Sequence, residues 1–83
     1  MSDISEAADK LLEEMIDQQR KKVVEHARRL VPGLGFDDVL NPQDHPELIN
    51  NPAWNYEDGI LAGYLAAQIA LRARVYRPED SPP

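Results

Sequence analysis

Carboxylates are the residues best placed for chemistry in this sequence. Glu13, Glu14 and Asp17 fall within about one helical turn, and Glu57 and Asp58 form a second pair much later in the chain. Clustered carboxylates can ligate a divalent cation, since hard cations take oxygen ligands. The other candidates are weaker. His26 directly follows Glu25, so on a helix their side chains diverge by about 100° and cannot supply the Glu-x-x-His spacing of a di-iron bundle. His45 precedes Pro46 with Asp44 and Glu47 nearby, which reads as a loop or capping position. There is no cysteine, so thiolate, thiol-redox and zinc–cysteine chemistry are excluded, and serine occurs only at 2, 5 and 81. Gly33-Leu34-Gly35 is too short for a phosphate loop and lacks the following lysine.

The stretch Glu13-Glu14-Met15-Ile16-Asp17 resembles the first half of the acidic motif of the all-helical nucleotide pyrophosphohydrolases of the MazG type. The resemblance implies a metal-dependent nucleotide hydrolase using Glu13, Glu14 and Asp17 with Glu57 and Asp58. It covers five residues, and the Glu57-Asp58 pair lacks the acid spacing of the family's second cluster. Glu14 and Asp17 also point away from the apolar face of their helix, where charge runs are ordinarily solvated. No family covers the whole chain. The leading expectation is therefore a non-catalytic helical module with no cofactor and no catalytic or metal-binding residues. The small metal-dependent hydrolase is the alternative.

The basic residues do not form a convincing nucleic-acid surface. Residues 20–29 hold five bases and one acid, but these bases spread around the polar circumference with no aromatic interleaved. The formal charge of −6 points the same way, away from nucleic acid and anionic membrane. Residues 3–17 carry six acids and one lysine, and residues 36–58 carry six acids and no Lys or Arg. Phe36, Asp37, Asp38, Trp54 and Tyr56 lie in or beside this second acidic region. They form a candidate surface for a basic or amphipathic partner, unless the aromatics only pin the connection down.

Two long helices must position these groups. Ala8, Leu12, Met15, Ile16, Gln19, Val23, Ala27 and Leu30 recur every three or four residues, predicting a helix over 4–31 that Pro32-Gly33 ends. The pairs Glu6–Lys10, Asp17–Lys21 and Glu25–Arg29 have the favourable i,i+4 order. A second helix is predicted over 54–77, followed by a frayed tail at 78–83. Between them, residues 32–53 are rich in breakers and predict short turns near 37–40 and 46–50, with Asp44 capping the latter. The fold class is thus all-α: two long antiparallel helices joined by a partly ordered connection of about twenty residues.

The second long helix carries the argument for assembly. Gly59, Gly63, Ala66, Ala70 and Ala73 form a stripe of small residues, Ile60, Tyr64, Leu71 and Val75 a bulky face, and Leu61, Leu65, Ile69 and Tyr76 a third face. Only Gln68 and Arg72 interrupt the girdle. One antiparallel neighbour cannot cover a helix that is apolar nearly all round. An interface built on Gly59, Ile60, Gly63, Tyr64, Ala66, Ala70, Leu71 and Ala73 is expected, and a homodimer forming a four-helix bundle is the simplest result. Another helix is expected to cross closely at Gly63, from the same subunit or a second one. No apolar run reaches the roughly twenty residues of a spanning helix, and no secretory signal opens the sequence, so a cytoplasmic location is expected.

Overall fold

The computed structural model describes residues 3–75. Four helices follow one another: α1 over Asp3–Leu30, α2 over Phe36–Val39, α3 over Pro46–Ile49 and α4 over Pro52–Val75, with a 3-10 turn at Pro42–Asp44 between α2 and α3. The two long helices pack against each other as an antiparallel hairpin, and no strand occurs among the described residues. None of the helices is long and apolar enough to cross a membrane. The expected tail at 78–83, together with Tyr76 and Arg77 of the expected second helix, lies outside the described residues.

Local chemistry explains the ends. After Leu30 the chain turns at Gly33, whose φ of +93° belongs to the left-handed region that glycine enters at no steric cost. Leu34 then falls back into the core, and its carbonyl accepts a 2.6 Å hydrogen bond from Arg28 Nε. α4 begins at Pro52, two residues earlier than the apolar pattern indicates. Asn51 supplies the reason: its Oδ1 accepts the Trp54 backbone N–H at 2.8 Å, and Pro52 occupies the first helical position, where no N–H is needed. Asp44 does not cap α3. It belongs to the preceding 3-10 turn, and His45 precedes α3 without a side-chain cap bond.

The core sits at the closed end of the hairpin. Val23 and Ala27 of α1, Leu34, Val39 and Leu48 of the connection, and Trp54 of α4 are all buried, with Ile16 and Leu61 continuing inward along the hairpin. The connection is therefore held by Leu34 ahead of α2, Val39 of α2 and Leu48 of α3, while the 3-10 turn buries no side chain and Phe36, Leu40 and Ile49 stay exposed. Toward the open end, no described apolar side chain beyond Ile16 and Leu61 is fully buried. Polar contacts hold the helices together there.

Candidate functional site

α1 docks on the polar break in the α4 girdle. Gln68 is buried, and its Nε2 donates to Glu13 Oε1 at 3.0 Å. Arg72 donates through Nε to Asp9 Oδ1 at 2.8 Å, and through Nη2 to Asp9 Oδ2 at 3.2 Å and Glu13 Oε1 at 2.7 Å. The arginine holds the Asp9 carboxyl below the usual aspartate range, and the two carboxylates push the Arg72 guanidinium further up. Nearer the core, buried Gln19 donates from Nε2 to both the Glu57 carbonyl and Glu57 Oε1, each at 2.8 Å.

These contacts place the acidic residues. Glu13 is tied to Arg72 and Gln68, and Glu57 to Gln19, while Glu14 and Asp17 are exposed on α1. Asp58 is partly covered on α4, and burial raises its carboxyl above the usual range. The carboxylates do not converge across a groove. Among the described residues, no three His, Cys, Asp or Glu side chains are grouped to hold a metal ion.

The aromatic and acidic residues of the connection do not form one surface. Trp54 is buried, its Nε1 donating to the Val23 carbonyl at 3.2 Å, whereas Tyr56 is 69% exposed on the outer side of α4. Phe36 packs beneath Arg20, whose guanidinium carbon lies 5.5 Å from the ring centroid. Asp38 is occupied locally, accepting the Gly35 N–H at 2.8 Å, and Asp37 is exposed.

The small-residue stripe faces outward. Gly59, Gly63, Ala66 and Ala70 are exposed, as are Ala62, Ala67 and Ile69 beside them, while Ile60, Tyr64, Leu71 and Ala73 are half-buried along its margins. Among the described residues, a Cβ at Gly59 or Gly63 would meet no atom within 4 Å beyond the adjoining backbone of α4. α1 therefore does not cross at Gly63, because Trp54, Leu61 and Gln68 occupy the side of α4 that it covers. From Tyr56 to Ala70 the outer face of α4 carries no charged side chain and spans about 21 Å by the helical rise.

Sequence reasoning placed Gln19 in the apolar series of α1 and identified Gln68 and Arg72 as interruptions. It did not pair them. The one available signal was that each interruption on one helix needs a polar counterpart on the other. Compared with known protein families, curated proteins and solved structures, the chain matches none.

Proposed function

We propose that this chain is a non-catalytic interaction module that assembles with a second copy of itself through the outer face of α4. The observation that carries the reading is the exposed strip from Tyr56 to Ala70, in which Ile69 is 69% exposed and a Cβ on either mid-helix glycine would meet no atom of another described element. Glycine costs a helix about 1 kcal/mol relative to alanine, so two without an intrachain reason fit a backbone that a neighbour approaches closely.

Two features favour a second copy running antiparallel. The stripe positions 59, 63, 66 and 70 are spaced four, three and four apart, a pattern that reads the same in both directions. A two-fold axis at its centre would set Gly59 against the partner's Ala70 and Gly63 against the partner's Ala66. The helix dipole adds a second preference: antiparallel helices bring opposite dipole ends together, whereas parallel ones bring like with like. Two hairpins joined this way form a four-helix bundle.

Sedimentation equilibrium at micromolar concentration tests the reading. A two-fold assembly that dissociates on substituting Gly63→Leu is the expected result. A compact monomer throughout that range would overturn it.

A further inference from the structure

The basic second half of α1 is organised by α2 into a groove that the sequence does not reveal. Phe36 forms one wall, and the rest of the lining comes from α1, around a volume of about 370 Å³. The lining has two rows. In the inner row, Arg20, Val24 and Arg28 stand four residues apart, two cations with an apolar residue between them. In the outer row, Asp17, Lys21 and Glu25 also stand four apart, so the lysine has an acid one turn to each side. The outer row carries two acids against one base, and Asp17 also makes a long contact of 3.8 Å with Arg20 of the inner row. The inner row contains no acid.

The two arginines are held but not satisfied. Arg28 is fixed by its Nε bond to the Leu34 carbonyl, which leaves the Nη edge of the guanidinium for an acceptor. Arg20 is stacked on Phe36, and its buried Nε has no hydrogen-bond partner. A carboxylate brought to the Nη edge of either guanidinium would form charge-assisted hydrogen bonds there.

We propose that this groove docks an extended segment of an acidic partner protein, with the pattern acid, any residue, large apolar, any residue, acid. The register follows from two rises. Arg20 and Arg28 are eight residues apart on α1, about 12 Å along its axis. In an extended chain, alternate residues share one face, and four steps cover about 13 Å. Two carboxylates four residues apart therefore reach the two guanidinium groups, and the apolar side chain midway between them lands on Val24 beside the Phe36 ring. Arginine suits this role because its planar fork takes a carboxylate with two hydrogen bonds. No α4 residue lines the groove, so the proposal does not depend on self-assembly.

The test titrates the full-length, isotope-labelled chain with the peptide acetyl-Glu-Ser-Leu-Ser-Glu-amide and follows backbone amide shifts. Saturable shifts confined to residues 17–28 and Phe36 are expected, weakening with added salt. Peptides with glutamine in place of both glutamates, or alanine in place of leucine, should bind at least tenfold more weakly. Arg20→Gln and Arg28→Gln should each weaken binding of the parent peptide to a similar degree while leaving the helical circular dichroism unchanged. If either variant loses helical signal, the altered peptides on the unsubstituted chain decide the matter. Absence of saturation at millimolar peptide, equal binding of the glutamine peptide, or shifts centred on α4 would each overturn the proposal.

Discussion

The indole Nε1 of Trp54 donates to the Val23 carbonyl at 3.2 Å, tying the start of α4 to the last third of α1 through the largest fully buried side chain in the described structure. Leu48, Val39 and Leu34 gather in the same core, so this contact joins both long helices and the connection. Trp54→Phe removes the donor and part of the ring volume. It should cost about 1–3 kcal/mol, combining a lost hydrogen bond with a partly filled cavity. In a domain of this size that corresponds to a fall in Tm of several degrees or more, measurable by thermal melting. A Tm equal to that of the unsubstituted chain would show that the contact contributes nothing.

At the open end, acid should loosen the hairpin. The Arg72 guanidinium lowers the pKa of Asp9 in the folded chain, so folding favours the ionised carboxylate. The resulting stabilisation is complete above the ordinary aspartate value and disappears as pH falls through the lower, folded value. Solvent screens this contact, so the effect is modest and weakens with salt. Asp9→Asn should lower Tm at neutral pH and flatten the acid limb of a Tm-against-pH curve. An unchanged curve would rule out this contribution.

Asp58 should act with the opposite sign. Burial raises its folded pKa, so the folded chain holds the proton more tightly than the unfolded one. The cost of the charge is fully present above the raised value and is relieved as pH falls through it toward the ordinary one. Asp58→Asn keeps the shape without the charge, and should raise Tm at neutral pH with little change at acidic pH. Paired melts at the two pH values check this directly.

Gly63 separates the stability of one hairpin from that of the assembly. With no described atom beyond the adjoining backbone within 4 Å of its Cβ direction, Gly63→Ala should favour the helix of the isolated chain by about 1 kcal/mol. Gly63→Leu should leave the hairpin folded, but place a bulky side chain where two backbones would meet, costing the contact about 1–3 kcal/mol or more. The expected signature is retained helical signal with a shift from dimer to monomer in sedimentation. Dimerisation as strong as that of the unsubstituted chain would place the interface elsewhere.

The all-helical class and the two long helices were legible because their signals are local. The three-to-four residue recurrence from Ala8 to Leu30 is a property of one helix, and Pro32-Gly33 stops that helix through its own backbone geometry. The start of α4 was less clear because Asn51 lies outside the apolar pattern, although Asn-Pro before a helix is itself a capping signal. Which face of α4 meets α1 was marked in the sequence only by the polar interruptions Gln68 and Arg72. A helix that is apolar nearly all round has no preferred direction of its own. The choice rests on Gln68 and Arg72 finding Glu13 and Asp9, partners 55 to 63 residues away. The groove beside Phe36 has the same origin: α2 must fold back before Arg20 acquires an aromatic floor. Backbone propensity acts over a few residues and leaves its mark in the sequence. Pairing between distant side chains depends on how two surfaces fit, and that fit exists only once the hairpin has closed.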